Sequence, residues 1–350
     1  MAYLFDYLIF LAQVATIVVA ILIIISAIAS LSMKRTTAQV GHLEVNKLND
    51  RLDDLKHSIE HAVLPGAAFK KQMKQENKRH KKEQKQASKE LKSGEPDVET
   101  KHPRLYVIDF EGDVAATAVS QLRTEITAVL TMACDADEVL IRLESPGGMV
   151  HSYGLAASQL HRVRQQGIRL VVAVDKVAAS GGYLMAAVAD RVLAAPFALV
   201  GSIGVVAQIP NVHRLLKKND VDVEILTAGA HKRTLTVFGE NTEDGRAKFI
   251  EELEDVHALF QEFVGEHRPD LDLSLVATGE AWYGKRALDL KLVDEITTSD
   301  SYLVKACQEK EVFKVSWVDR KSPFERLMGQ VEGVMTRIQD MIPVWGSRGI

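Results

Sequence analysis

The pattern of apolar and polar positions divides the chain into an apolar start, a polar stretch and a longer region of alternating elements. Residues 7–31 contain no charged side chain, and about 20 apolar residues suffice to cross the hydrocarbon core of a bilayer. Lys34 and Arg35 follow this stretch, and no basic residue precedes it. A cleaved secretory signal has basic residues first and a shorter apolar core. The pattern therefore predicts a retained transmembrane anchor over 1–33.

The next stretch, 34–103, is polar and carries two different patterns. Apolar residues recur at helical spacing as far as Pro65-Gly66, which predicts an amphipathic helix or a short coiled-coil stem over 34–64. These positions are Leu43, Val45, Leu48, Leu52, Leu55 and Ile59. Residues 70–92 are rich in lysine and contain no Phe, Tyr or Trp, so the stacking platforms of a nucleic-acid-binding surface are missing. This basic segment is either a solvated linker or a patch attracted to anionic lipid.

From Arg104 onward, short apolar runs alternate with longer amphipathic ones. The short runs, rich in β-branched residues, predict strands at 105–110, 138–143, 169–174, 191–195 and 221–226. Helical spacing predicts helices at 114–133, 149–166, 180–189, 211–219 and 242–267. This alternation is typical of an α/β fold with a mostly parallel sheet covered by helices, and it predicts one domain over 104–312. Residues 313–350 are predicted to be a tail with an amphipathic helix.

Ser180 is the first candidate for chemistry. It lies between a predicted strand and a predicted helix rich in small residues, in the run Ala178-Ala179-Ser180-Gly181-Gly182. A serine in this place can simply cap the helix, or it can present its hydroxyl at a crowded site. Two other loops favour the second interpretation. Gly147-Gly148 would let backbone amides approach a ligand closely, as an oxyanion hole requires, and Gly201-Ser202 could bring a further hydroxyl to the same place.

In this order, the motifs resemble the signal peptide peptidase A family of serine–lysine membrane proteases, and within it the SohB branch. The shared runs are Ser-Pro-Gly-Gly at 145–148, Ala-Ala-Ser-Gly-Gly-Tyr at 178–183, Gly-Ser-Ile-Gly-Val at 201–205 and the segment around Lys232. The resemblance covers 104–300. It implies a ClpP/crotonase-like fold and a serine endopeptidase with Ser180 as nucleophile and Lys232 as base. Lys291 stands where the family usually has a glycine, which affects a turn far from the proposed chemistry.

The proposed dyad sets a physical condition on its base. A serine hydroxyl is a poor nucleophile until a base takes its proton. The candidate bases are His151, His161, His213, His231 and Lys232. A lysine amine is neutral near working pH only if burial lowers its pKa well below about 10.4. We therefore expect Lys232 in an apolar pocket beside Ser180, held by the hydroxyl of Ser202. We expect the backbone amides of Gly148 and Gly181 to form the oxyanion hole, and the resemblance favours Gly148.

The expected partners follow from composition and resemblance. No cofactor or metal is expected, because Cys134 and Cys307 lack the histidine or cysteine neighbours of a metal site. Small side chains at Ala178, Ala179 and Ala186 predict a narrow apolar cleft for extended peptides. The resemblance implies residual signal peptides or unfolded membrane-protein fragments as substrates. It also implies a homo-oligomer.

Two alternative functions stay open at this point. A crotonase-type acyl-CoA enzyme shares the fold and uses a glutamate base, and Glu144 beside the Ser-Pro-Gly-Gly turn is the one feature that favours it. The other alternative is a membrane scaffold with an inactive site, although both candidate catalytic residues are intact.

The predicted location is the inner membrane, with a single pass through the lipid bilayer. Lys34 and Arg35 after the anchor favour a cytoplasmic catalytic domain by the charge rule. The resemblance points the other way, because some members of that family work in the periplasm. The sequence leaves the side of the membrane open.

Overall fold

The structure is a computed structural model that describes residues 41–67, 103–229 and 231–319, and in addition some positions between 9 and 17 and between 70 and 78. Leu43–Trp317 form one compact unit. The candidate residues for catalysis all lie within it.

The strands of this unit form two sheets. Strands β1 to β10 span Gly41–Lys47, Arg104–Glu111, Glu138–Glu144, Arg169–Val174, Val177–Ala179, Arg191–Ala194, Leu199–Gly201, Ala281–Tyr283, Glu295–Ile296 and Glu311–Asp319. The larger sheet has the order β1-β10-β2-β3-β4-β6-β9, and the smaller has the order β5-β7-β8. From β10 to β9, neighbouring strands of the larger sheet are parallel. The predicted α/β class with a mostly parallel sheet is confirmed.

Helices cover both faces of the larger sheet. Helices α1 to α9 span Leu48–Val63, Val119–Leu130, Val150–Gln165, Gly181–Ala187, His213–Lys218, Glu243–His267, Leu273–Val276, Gly284–Asp289 and Ser299–Glu309. Ile108 and Phe110 of β2 belong to a core shared with α2, α3 and α4. Leu105 and Val107 of the same strand belong to a second core that includes Leu303 of α9. Successive side chains of a strand point to opposite faces, so β2 must be apolar on both.

Helix α4 is buried at every position, which accounts for its small residues. A Cβ atom on Gly181 would lie 2.4 Å from Cγ of Tyr153, and one on Gly182 would lie 2.6 Å from the carbonyl oxygen of Ser145. Any larger residue would push these neighbours away. Glycine at both positions therefore lets α4 approach the end of β3 and the helix α3.

The end of β3 and the strands of the smaller sheet meet at one place. The amide of Ser145 donates to the carbonyl of Val177 (2.8 Å), and the amide of Ala179 donates back to the carbonyl of Ser145 (3.0 Å). Strand β5 then pairs in parallel with β7, with Ala179 opposite Gly201. Because parallel strands end at the same edge, the loops that follow β3, β5 and β7 lie side by side.

The start of the compact unit differs from the predicted stem. Residues 41–47 form the strand β1, and the helix α1 begins only at Leu48, so the prediction of one helix over 34–64 was wrong there. The side-chain amide Nδ2 of Asn49 donates to the carbonyls of Cys307 and Lys310, and its Oδ1 accepts from the backbone amide of Val312. These partners are more than 250 residues away, and local periodicity cannot reveal them.

Two further stretches differ from the predicted pattern. Residues 221–226 form no strand, although Val221, Val223 and Ile225 alternate with acidic residues. Their side chains are exposed, and in the described part of the chain no neighbouring strand pairs with them. At the other end, β10 pairs with β2 over Glu311 to Lys314, and the strand continues to Asp319, past the predicted domain end at 312.

The predicted membrane segments fall mostly outside the described residues. The described positions between 9 and 17 are helical. Among all described residues, no helix combines the length and the apolar character needed to cross a membrane. The rest of the predicted anchor, most of the basic segment 70–92 and the tail after Asp319 lie outside the described residues.

Candidate active site

Ser180 connects β5 to α4 in an unusual backbone conformation. Its φ is 53° and its ψ is −119°, and a positive φ is costly for a residue other than glycine. The amide of Ser180 donates to the carbonyl of Gly201 (2.8 Å), and its own carbonyl accepts from the amide of Leu184 (3.0 Å). These bonds fix the backbone on both sides. The side chain makes no capping hydrogen bond, so Ser180 does not act as an ordinary helix cap.

The Gly147-Gly148 loop lies directly against Ser180. Gly147 has a φ of +89°, and a Cβ atom there would lie 2.7 Å from Cβ of Ser180. A Cβ atom on Gly148 would lie 2.1 Å from the carbonyl oxygen of Val114. Both positions therefore require glycine, the first for its conformation and its closeness to Ser180, and the second for its closeness to the 113–116 backbone.

The amide of Gly148 is available to a ligand. The amide before it, of Gly147, donates to Oγ of Ser145 (3.1 Å), and the amide after it, of Met149, donates to the carbonyl of Val114 (2.8 Å). Within the described residues, no protein group accepts a hydrogen bond from Gly148 itself. The amide of Gly181 is in the first turn of α4, where amides have no partner inside the helix.

Ser202 lies beside Ser180. The register of β5 and β7 places Ala179 opposite Gly201, so Ser180 and Ser202 are the next residues of two adjacent parallel strands. Both have a φ of 53°. The amide of Ser202 donates to the carbonyl of Glu280 (2.6 Å). Of the five predicted site residues, Ser180, Gly148 and Gly181 thus line one cavity. Ser202 is next to Ser180 along the paired strands but is not among the residues that line that cavity.

An apolar cavity of about 220 Å³ opens at Ser180. Gly148 and Gly181 line it next to the serine. Its walls come from α3, α4 and α6 and from the loop after β7, through Tyr153, Leu184, Val205, Val256, Leu259, Phe260 and Phe263. Sequence reasoning did not find the contribution of α6. The signal was present, because positions 256, 259, 260 and 263 have the spacing of one helical face.

Lys232 is not among the residues that line this cavity. It lies between α5 and α6 in a segment without helix or strand, and its side chain is exposed. Its amide donates to the carbonyl of Gly229 (3.2 Å). In a single chain the amine is therefore not in the apolar pocket that a neutral lysine needs, and its role as base stays a prediction.

The candidate histidines do not line the cavity at Ser180 either. His151 is exposed on the first turn of α3, and Nδ1 of His161 lies 3.2 Å from Nε2 of His267. His231 lines a separate cavity, and His213 begins α5. In the described arrangement, none of the four is placed to take the proton of Ser180.

The structure also shows where Glu144 lies and whether the described residues could bind a metal ion. Glu144 forms an ion pair with Lys176 (2.9 Å) and lines a different, polar cavity. This placement removes the feature that favoured acyl-CoA chemistry. Among the described residues, no cluster of three or more His, Cys, Asp or Glu side chains could hold a metal ion.

Comparison with known proteins gives consistent matches. Residues 2–160 match the model "Peptidase family S49 N-terminal", and residues 162–313 match the model "Peptidase family S49". The chain is 51% identical over 326 residues to the "Probable protease SohB" of Haemophilus influenzae, covering 93% of this chain and 92% of that one. It is 43% identical over 330 residues to the "Putative protease SohB" of Buchnera aphidicola subsp. Baizongia pistaciae, covering 93% and 94%.

A solved structure with a similar arrangement is the 1510-N membrane protease specific for a stomatin homolog from Pyrococcus horikoshii. The match has a TM-score of 0.37 and 12% identity, and it covers 66% of this chain and 100% of that chain. A similarity of this size supports no inference about the present chain.

Proposed function

This chain belongs to peptidase family S49, in its SohB branch, and from that premise we propose that it is a membrane-anchored serine endopeptidase with Ser180 as its nucleophile. One observation carries the assignment. The hydroxyl of Ser180 makes no capping hydrogen bond, and among the described residues no group accepts from the amide of Gly148. Both residues line the same apolar cavity. A nucleophile and an oxyanion donor at one concave site are the minimum requirement for acyl transfer.

The reaction follows from these positions. Oγ of Ser180 attacks the peptide carbonyl while a base removes its proton, and the carbonyl oxygen becomes an oxyanion. The amides of Gly148 and Gly181 donate to that oxygen, and removing one such donor costs about 10²–10³-fold in rate. The tetrahedral intermediate collapses, the amine leaves with a proton, and an acyl-enzyme forms on Ser180. Water then hydrolyses the ester and regenerates the serine.

We propose that Lys232 is the base and that it reaches Ser180 only in an assembled or rearranged state. In the single chain its side chain is exposed and is not among the residues that line the cavity at Ser180. The segment around it exposes large apolar side chains, among them Leu226 and Phe238. A second copy that covered these side chains would also desolvate the amine and so lower its pKa. The proposed enzyme is therefore a homo-oligomer, with the hydroxyl of Ser202 holding the amine.

The proposed substrates are extended peptides with an apolar side chain next to the cleaved bond. A cavity of about 220 Å³ with apolar walls suits an aliphatic or aromatic side chain. Residual signal peptides and unfolded membrane-protein fragments fit this preference. The apolar stretch 7–31 supports a single-pass anchor in the inner membrane, and the proposal leaves the side of the membrane open.

Degradation of unfolded casein tests the proposed function. Wild type, Ser180→Ala and Lys232→Ala are compared at equal concentration, and both variants are expected to be inactive. Lys232→Arg is the sharper control for the base, since it keeps the positive charge but cannot give up its proton at working pH. Full activity in Ser180→Ala would rule out the nucleophile, and full activity in Lys232→Arg would rule out the base.

A further inference from the structure

Two buried hydroxyl groups, joined by three hydrogen bonds, connect the Gly147-Gly148 loop to the backbone before α2. The amide of Gly147 lies 3.1 Å from Oγ of Ser145, and this Oγ lies 2.5 Å from the hydroxyl of Tyr153. The hydroxyl of Tyr153 lies 2.8 Å from the carbonyl oxygen of Asp113. Ser145 and Tyr153 are both fully buried, so water does not compete for the two hydrogen bonds that Oγ of Ser145 makes.

The chemistry of the end groups sets the direction of every bond in this chain. The carbonyl of Asp113 can only accept, so the hydroxyl of Tyr153 must donate its single proton to this carbonyl. Ser145 must therefore donate its proton to the oxygen of Tyr153. Its own oxygen then accepts from the amide of Gly147, which can only donate. All donors and acceptors are satisfied in one direction, and hydrogen bonds in such a chain strengthen one another.

Tyr153 stays a neutral donor in this arrangement. Burial raises the pKa of its phenol above the ordinary value of 10.0. The ring is held as tightly as the hydroxyl, because Gly112 and Gly181 both pack against it. A Cβ atom on Gly112 would lie 2.4 Å from the hydroxyl oxygen of Tyr153, and one on Gly181 would lie 2.4 Å from its Cγ.

The hydrogen-bond chain fixes one side of the candidate oxyanion donor. Gly148 lies between an amide bound to Ser145 and the amide of Met149, which is bound to Val114. With both neighbouring amides held, rotation of the Gly147–Gly148 peptide is limited, and Gly148 lines the cavity at Ser180. A donor aimed in advance at the oxyanion costs no reorganisation during the reaction.

We infer that Tyr153 and Ser145 are positioning residues for acyl transfer, which orient the amide of Gly148 toward the carbonyl that Ser180 attacks. This inference rests on the proposed function, because it needs Ser180 as nucleophile and Gly148 as oxyanion donor. Neither hydroxyl touches the substrate in this account. Both act through the conformation of the Gly147-Gly148 loop.

The test removes single hydroxyl groups and separates rate from stability. Tyr153→Phe, Ser145→Ala and the double variant are compared with Tyr183→Phe. Tyr183 is a matched control, since it is also fully buried and its hydroxyl also donates to a main-chain carbonyl, that of Leu292 (2.9 Å). Peptide kcat and KM, the rate of labelling by a fluorophosphonate, and Tm are measured for each.

Loss of orientation predicts a specific pattern. Tyr153→Phe should lower kcat and the labelling rate by about 10- to 100-fold, with KM unchanged, because the lost interaction is made in the transition state. Tyr183→Phe should lower Tm by a similar amount and leave kcat unchanged. The double variant should be no slower than the slower single variant, because both hydroxyls belong to one chain.

Two results would overturn the inference. One is a wild-type kcat in Tyr153→Phe, and the other is a loss of kcat that Tyr183→Phe reproduces at equal loss of Tm. If Tyr153→Phe fails to fold, Ser145→Ala with a wild-type kcat is equally decisive. Ser180→Ala, assayed in parallel, keeps the two proposals apart. Activity in Ser180→Ala would sink the proposed function itself, whereas an inactive Ser180→Ala beside a fully active Tyr153→Phe would sink only the positioning role.

Discussion

The surroundings of Ser180 and those of Lys232 are folded to very different degrees. Ser180 is held by strand pairing, by the buried helix α4 and by glycines that leave no spare space around it. Lys232 lies in a segment without helix or strand, with exposed apolar side chains on both sides of it. The proposed site thus has a packed half around Ser180 and an open half around Lys232 in the single chain. If Lys232 is the base, as proposed, the open half has to be completed by a second copy or by movement of its own segment.

The largest effect is expected when Ser180 and Lys232 are substituted in different copies of the chain and the two variants are mixed. Ser180→Ala and Lys232→Ala should each lower kcat by roughly 10⁴-fold or more. If Lys232 is supplied by a second copy, a mixture of the two inactive variants should regain about a quarter of wild-type activity, because random assembly pairs intact halves at that frequency. Casein degradation after mixing and reassembly measures this.

A mixture that stays inactive would place both residues of each site in the same copy. Lys232 would then reach Ser180 by movement of its own segment. Full activity of either single variant before mixing would contradict the dyad itself.

The packed half can be disturbed on its own at Gly148. Gly148→Ala places a Cβ atom 2.1 Å from the carbonyl oxygen of Val114, so the loop must shift and its amide must leave the oxyanion position. We expect kcat to fall by about 10²–10³-fold. Gly265→Ala on α6 is the control, because its Cβ atom would meet only Cδ1 of Leu273 at 3.3 Å. Equal kcat in the two variants would argue against Gly148 as a donor.

A smaller effect is expected at the cavity wall. Val256→Phe should narrow the cavity at Ser180 and lower kcat/KM for substrates with a large apolar side chain by about 10- to 100-fold. Substrates with alanine at that place should be cleaved as before. Ile250→Phe, at an exposed position of the same helix, should change neither value. The comparison uses a peptide pair that differs at this one residue, and an equal loss for both peptides would refute the assignment of the cavity.

The smallest predicted effect concerns stability away from both halves. Burial raises the pKa of Glu125 above its ordinary value of 4.5, so the folded chain keeps this proton to a higher pH than the unfolded chain does. Stability from this group is present below about pH 4.5 and is lost as pH rises through the folded pKa. Glu125→Gln keeps an acceptor for the amide of Trp317 and removes the buried charge.

We therefore expect Glu125→Gln to raise Tm at neutral pH by about 2–4 °C, to match wild type near pH 4, and to leave kcat unchanged. Thermal unfolding as a function of pH checks this. A lower Tm of the variant at neutral pH would contradict the sign of the shift.

The sequence predicted the packed half well. Both ends of strands β2, β3, β4 and β6 were predicted to within one residue, because buried parallel strands are short and apolar on both faces. The Gly147-Gly148 loop was placed correctly after a strand, β3. The short strands β5 and β7, which directly precede Ser180 and Ser202, were not predicted, and with them the smaller sheet was missed. The grouping of the three loops follows from the topology of parallel strands, which carries the following loops to one edge.

The elements that were predicted wrongly or missed depend on contacts between residues far apart in the sequence. Strand β1 lies beside β10 in the sheet, and Asn49, at the start of α1, binds partners at and near β10. Contacts of this kind leave no trace in local spacing. Residues 221–226 show the alternation of a strand but lack a pairing partner in the described chain. The cavity wall from α6 was not predicted, because helical spacing shows that a helix has an apolar face but not which residues that face packs against.

Identification of the residue that a fluorophosphonate modifies tests the central claim most directly. The full chain is labelled, digested and examined by mass spectrometry, with casein degradation followed in the same sample. We predict a single adduct on the peptide that contains Ser180, formed in step with the loss of activity. Loss of activity with the adduct on another residue, or undiminished activity with Ser180 fully modified, would contradict the account.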